Sequence, residues 1–293
     1  MKARPARVQP TIGAQLFQRR EPFAVSRTML PLAIRKLSCN PLVRGVAHHL
    51  HVSHFARGVY CRLLARNGEL RVSCLGVDAV FKTRNSKQLA FVDYILTTER
   101  DAIEAALCHL RAGHTFLDVG SHYGIFSILA SKLVGPTGKV IAVEPHDGAR
   151  QVLRENLALN HCQNVEVLDL AFSDKTGPVA LIYHENGMGL QPSSDPSSTL
   201  NPIQGTTGDE ALRDFPIPSA VKIDVEGHEF AVLNGLKETL SNKSCRLLSV
   251  EIHPSLLPPG VNKDSIMTFV QEHGFSVLSQ TARSMEVQVV ASR

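Results

Sequence analysis

The chain has 293 residues, 43% of them hydrophobic and 20% charged, an ordinary balance for a soluble protein with one large α/β domain plus a modest extra segment. No apolar run approaches the roughly 18 residues of a membrane span, and none of the six cysteines stands in a Cys-x-x-Cys pair, so neither a zinc ribbon nor a redox motif is indicated. The net charge of +4 is unevenly spread: residues 1–68 hold 12 Lys/Arg against the single acid Glu21, and the remainder is net acidic.

Residues 1–69 read as a basic N-terminal segment, broken by Pro5, Pro10, Pro22, Pro31 and Pro41 and without a sustained amphipathic pattern. Such an Arg-rich, acid-poor stretch fits a solvated leader or an organelle transit peptide; the alternative is attraction to an anionic surface. It lacks the apolar core and small-residue cleavage site of a secretory signal, so reduced thiols and a cytoplasmic location are expected. His48, His49, His51 and His54 invite a zinc reading, but with no nearby cysteine or supporting acid a solvated basic face is expected there.

Residues 70–112 read as a lead-in. Leu70–Cys74 and Val77–Lys82 flank a Gly-containing turn and predict a hairpin, and Thr98 caps a helix over Glu99–Leu107. From 113 to 293 strands and helices alternate. Strands are expected at Thr115–Val119, Lys139–Val143, Val165–Leu170, Ala220–Val225 and Leu247–Ile252, with helices over Ile125–Leu133, Ala149–Leu159, Glu229–Leu240 and Lys263–His273. Gly187–Gly208 reads as a long loop rich in Ser, Pro, Gly and Thr. Phe275–Ser279 and Glu286–Ala291, joined by a short connection, form an antiparallel closing pair. The alternation implies a mostly parallel sheet with helices on both faces and right-handed crossovers.

In such a sheet ligands bind at the carboxyl ends of the strands. Acids or glycines stand at four of those ends: Asp118/Gly120, Glu144, Asp169 and Asp224. Gly120 lets the backbone approach a ligand, Gly124 allows close helix–strand packing, and Glu144 supplies the carboxylate that accepts two ribose hydroxyls. Helix capping alone would have to explain acids at four successive strand ends. The turn reads Gly120-Ser121-His122-Tyr123-Gly124, without the second glycine of a dinucleotide fingerprint, which argues against a nicotinamide-dependent oxidoreductase. S-adenosylmethionine carries no phosphate to cradle, and its positive sulfonium and amino groups make Asp118 useful as an acceptor.

The blocks Phe116–Ser127, Val143-Glu144-Pro145, Ala171–Gly177, Val221–Glu229 and Val250–His253 closely resemble the FkbM family of S-adenosylmethionine-dependent methyltransferases, over roughly two-thirds of the chain from about Glu99. The Ile-Asp-Val-Glu-Gly sequence at 223–227 is the most specific of them. The resemblance implies a Rossmann-like class I methyltransferase fold with a seven-stranded sheet, and O-methylation of hydroxyls on saccharides, glycolipids or secondary metabolites. The strand ends and these blocks together place the expected donor contacts at Asp118, Gly120, Ser121, Tyr123, Gly124, Glu144, Asp169, Ala171 and Asp224. The family more often has Ala-Asn where this chain has Ser121-His122, and His122 is expected to point to solvent.

Methyl transfer from a sulfonium is an in-line displacement, helped most by alignment and, for an alcohol, by a base. His228, Asp224 and Glu226 follow the fourth strand beside the expected methyl position and are the expected catalytic residues, with His228 as base at its ordinary pKa near 6.5. Mg²⁺ between Asp224 and Glu251 was the alternative to a metal-free site, but no spacing demands it. The acceptor is expected to be a small molecule or saccharide hydroxyl, with no nucleic acid partner. A non-catalytic adenosylmethionine-binding protein is the remaining alternative, which the acids after the fourth strand argue against.

Overall fold

The computed structural model describes residues 68–183, 190–193, 202–283 and 285–293. The basic segment up to residue 67, its histidine cluster and part of the Gly187–Gly208 stretch lie outside the described residues.

The hairpin forms as expected, from β1 (Glu69–Cys74) and β2 (Val77–Lys82) in antiparallel register. Two helices follow, α1 (Ser86–Thr98) and α2 (Arg100–Leu107). α1 has no counterpart in the sequence reading. Its start is set by Asn85, whose side chain accepts the Gln88 N–H. Thr98 ends this helix instead of capping the next, and Glu99 precedes α2 without making a side-chain cap. The Glu99 carboxylate is buried and turned toward Arg283, 3.4 Å away, which removes it from the capping position.

The alternating part runs β3 (Thr115–Val119), α3 (Ile125–Val134), β4 (Lys139–Val143), α4 (Asp147–Leu159) and β5 (Val165–Leu168). The third strand is shorter than expected, because β6 (Ala171–Ser173) leaves for a second sheet. That sheet, ordered β6-β9-β7-β8, takes in β7 (Gly177–Tyr183), β8 (Leu190–Ser193) and β9 (Pro202–Thr207), so two strands stand where a loop was read. Its turn chemistry masks β9, whose parallel partner β6 lies some 30 residues earlier, as Ala171 opposite Gly205, and β8, which pairs only with the neighbouring β7.

After the short α5 (Gly208–Ala211) come β10 (Ala220–Ile223), α6 (Glu229–Gly235) and α7 (Lys237–Ser241). One helix was expected over Glu229–Leu240; it breaks at Leu236. Gly235 presses against the Ser173 carbonyl, where a Cβ would overlap it. The Asp209 carboxylate accepts the Glu238 and Thr239 N–H groups at 2.8 Å, capping the new helix start from another element. β11 (Leu247–Ile252), α8 (Lys263–Glu272), β12 (Ser276–Ala282) and β13 (Val287–Ser292) complete the chain.

The main sheet has seven strands in the order β12-β13-β11-β10-β3-β4-β5. β11, β10, β3, β4 and β5 are parallel, and β13 runs antiparallel to both β11 and β12, the Rossmann-like arrangement that the alternation implied. All five residues of β3 are buried, as expected for a strand covered on both faces. Successive side chains go to opposite layers. Phe116, Val140 and Ala142 join α1 to α4 and the hairpin in one core, while Leu117, Ile141 and Val143 join α6, α7 and α8 in the other. No helix among the described residues is long and apolar enough to cross a membrane.

Candidate active site

The strand order reverses between β3 and β10, and at their carboxyl ends lies a cavity of about 410 Å³, a ligand-sized volume. The β3–α3 turn lines it with Gly120, His122 and Tyr123, and the β4–α4 turn with Glu144 and His146. The β10–α6 loop contributes Asp224, Glu226 and His228, and the end of β11 adds Glu251 and His253. Gln88, Phe91 and Tyr94 reach in from α1, and Glu286 from the β12–β13 turn.

At one end, Gly120 (φ 78°) turns the chain so tightly against β10 that a Cβ would overlap the Asp224 carbonyl oxygen. The Gly120 and Ser121 N–H groups both donate to the Val143 carbonyl at 3.0 Å, which ties this turn to β4. Glu144 stands at the cavity wall, 5% exposed. Its Oε2 accepts the His122 N–H at 2.8 Å and its Oε1 the His146 N–H at 2.9 Å. Burial pushes this carboxyl up to about 6, against the pull of those two amides. Each oxygen keeps acceptor capacity for a further donor from the cavity.

Several expected donor contacts fall elsewhere. Asp118 is fully buried behind the wall, where Ser127 Oγ donates to its Oδ2 at 2.5 Å and Lys222 Nζ lies 3.4 Å from its Oδ1. It is already neutralised, so it is not the free counter-charge expected from its place at a strand end. Ser121 shapes the turn through bonds from its hydroxyl to the Asp118 and Val143 carbonyls, and Gly124 makes room for Leu153. Asp169 is mostly exposed and pairs with Arg150 at 3.8 Å, outside the cavity, whereas Ala171 lines it. His122 does not point to solvent: its ring stacks on Tyr123 at 3.9 Å and meets the edge of Phe91 at 4.4 Å.

Lys222 escaped the sequence reading and organises the centre. Its ammonium, 3.4 Å from both Asp118 and Asp224, donates to the Gly120 carbonyl at 2.8 Å. Burial works against its charge, but Asp224, Asp118 and Glu251 hold it protonated. The signal was a lysine in an otherwise apolar strand, directly opposite Asp118 in the β10–β3 register.

The other end of the cavity is rich in carboxylates. Burial would raise Asp224, but Lys222 and then His253 keep it below its ordinary value. Glu226 sits in a left-handed conformation (φ 53°), and burial together with Asp224 pushes its carboxyl up to about 7. His253 Nδ1 bonds Glu229 at 2.8 Å and its Nε2 lies 3.5 Å from Glu226; these acids outweigh burial and raise it to about 9. Glu251 is pushed up to about 10 by burial, Asp224 and its bond to Glu286. His228 does not keep the pKa near 6.5 that a histidine base needs. Its Nε2 lies 3.0 Å from Ser173 Oγ, and burial lowers it to about 4. Asp224, Glu226 and His253 each present a ligand atom within 4.8 Å of the others, as do Glu251, His253 and Glu286. Lys222 and the protonated His253 already answer much of that negative charge.

The model of the methyltransferase FkbM domain matches residues 118–277. The hexuronic acid methyltransferase AglP of Haloferax volcanii is 30% identical over 178 residues, which span 57% of this chain and 68% of that protein. A probable cobalt-precorrin-6B C(15)-methyltransferase (decarboxylating) of Sulfolobus acidocaldarius is 42% identical over 57 residues, 20% of this chain and 30% of its own. Among solved structures, a methyltransferase FkbM from Methylobacillus flagellatus aligns over 70% of this chain and 54% of that one, with 14% identity and a TM-score of 0.48.

Proposed function

The chain belongs to the FkbM methyltransferase family, and from that premise we propose that it moves the methyl group of S-adenosylmethionine to a hydroxyl of a saccharide, glycolipid or secondary metabolite. The observation that carries the donor half is Glu144, a buried carboxylate at the wall of the switch-point cavity with acceptor capacity on both oxygens. Ribose hydroxyls are the groups that such a carboxylate suits. The cavity fits this donor in two further respects. Gly120 brings bare backbone to its floor, and the buried Nδ1 of His122 has no hydrogen-bond partner within the protein. The hexuronic acid in the name of the Haloferax relative supports a saccharide acceptor.

S-adenosylmethionine supplies an electrophilic methyl carbon, so the protein's task is alignment and proton removal. Alignment by two walls held in fixed register accounts for most of what such a site contributes, about 7–11 kcal/mol at best. Lys222 holds the β3 turn and the start of the β10 loop together through Gly120 and Asp224. For the proton, Glu226 is the best-suited base: it lines the cavity and its carboxyl is tuned to about 7. His253, protonated beside it, receives the negative charge of the carboxylate and cannot itself serve as base. His228, bonded to Ser173, positions the loop, and Asp224 stays ionised against Lys222.

Calorimetry with S-adenosylhomocysteine and with NAD⁺ tests the donor. Binding of the first and not the second is expected; tight NAD⁺ binding alone would overturn the reading. A screen of hydroxylated acceptors for a 14-dalton mass gain, the mass of CH₂ (~14), then tests the acceptor class.

A further inference from the structure

His122 stands with Ser121 where the resembled family more often has Ala-Asn, and the donor-site argument above gives its ring no partner. Three observations give it one. Its backbone lies in the left-handed region (φ 47°), which few residues other than glycine, asparagine, aspartate and histidine enter readily. Its ring is walled in by Tyr123 and the edge of Phe91, yet it lines the cavity. Its Nδ1 is buried with no hydrogen-bond partner, while its own N–H holds Glu144 Oε2 at 2.8 Å.

An imidazole packed only to fill space would leave no nitrogen orphaned, because an apolar ring does the same work without the desolvation penalty. Burial lowers its pKa to about 4, with Lys222 and His146 opposing and Asp224 favouring the proton, so the ring is neutral at physiological pH. A neutral imidazole has one N–H and one lone pair, which matches a hydroxyl able both to give and to receive a hydrogen bond. The His122 N–H holds Glu144, the carboxylate to which the proposed function assigns such hydroxyls.

We propose that His122 is a second ribose-binding residue, whose unpartnered ring nitrogen hydrogen-bonds a ribosyl hydroxyl of the donor beside Glu144. This rests on the adenosylmethionine reading of the cavity. The aromatic contacts with Tyr123 and Phe91 then fix the ring's angle, and they bring α1 into the recognition of the nucleoside.

The test compares His122→Phe, which keeps the packing and loses the nitrogen, with His122→Asn, which keeps a polar group suited to the same backbone. Affinity for S-adenosylhomocysteine is measured by calorimetry, with thermal melting alongside. About a tenfold loss for His122→Phe is expected, with His122→Asn within about threefold of the unmodified protein. The same penalty is expected with 5′-methylthioadenosine, which lacks the amino-acid arm; a penalty confined to adenosylhomocysteine would overturn the ribose assignment. Unchanged affinity in a folded His122→Phe protein, or equal losses in both variants, would leave only a packing role and end the proposal. Should His122→Phe not fold, His122→Ala against His122→Asn makes the same comparison. If the unmodified protein binds neither ligand, the donor reading itself has failed, a result distinct from a mutant that binds normally.

Discussion

The two ends of the cavity are built by different means. The end with Gly120 and Glu144 comes from two neighbouring strand-to-helix turns, and its contacts are largely backbone: amides to the Val143 carbonyl and amides to the Glu144 carboxylate. The end with Glu226, Glu251 and His253 comes from side chains on two stretches, the β10–α6 loop and the end of β11, joined by Glu99 from the α1–α2 junction and Arg283 and Glu286 from the β12–β13 turn. The first is a fixed receptacle for one ligand. The second is a set of mutually perturbed acids, whose protonation depends on one another and on whatever enters. In the proposed reaction the first end binds the donor and the second tunes reactivity, and substitutions should separate the two.

The sharpest separation is at Glu226. Glu226→Gln should lower turnover by roughly 10²–10⁴-fold and leave adenosylhomocysteine affinity unchanged, measured by single-turnover rates beside calorimetry. In the unmodified protein the rate should rise with pH through about 7 and then level, since the carboxylate is the active form. A profile flat from pH 5 upward would transfer the role to a group already ionised there, such as Asp224. Next is Lys222, which belongs to both ends. Lys222→Met leaves Asp118 and Asp224 without their buried cation, and a loss of about 3–5 kcal/mol in denaturant unfolding is expected.

Glu144→Ala should weaken the donor by about 1–3 kcal/mol in calorimetry, with turnover at saturating donor nearly retained. Because its carboxyl titrates near 6, donor affinity of the unmodified protein should also decline as pH falls from 7 to 5, a trend that Glu144→Gln removes. The His253–Glu229 pair affects stability in the opposite sense. A folded-state value of about 9 lies above the ordinary 6.5, so its contribution is complete below pH 6.5 and fades as pH rises through 9. Chemical denaturation at pH 6.5 and 9.5 should show that decline, and His253→Leu should abolish it. The smallest expected effect is none: a chain beginning at Gly68 should bind adenosylhomocysteine as the full chain does, because the cavity is lined from Gln88 onward.

This division also explains which features are legible in the sequence. Parallel strands, glycine turns and Glu144 are local features, written in runs of five to ten residues with recognisable periodicity. Strand ends therefore point to the cavity, and the Ile-Asp-Val-Glu-Gly block contains Glu226, which lines it. Long-range partners are not written locally. Asp118 stands at a strand end like Glu144, yet the side chain opposite it in register is Lys222, and that pairing turns one acid inward while the other faces the cavity. α1 was missed because its one-sided burial, Leu89, Val92 and Leu96, is matched to a hairpin and a sheet face that only the fold brings to it. His228 was over-read: its pKa depends on burial and on Ser173, 55 residues earlier.

The close seat of Gly120 against the Asp224 carbonyl has a consequence for how this enzyme can diversify. The spacing between the two ends is gauged by main chain against main chain, with the buried Lys222 bracing the same contact. Residues that line the cavity away from this contact, such as Tyr94, leave it undisturbed when they change. Under the proposed methyl transfer, the acceptor can change through such positions while the interval that the methyl group crosses stays as the turn sets it.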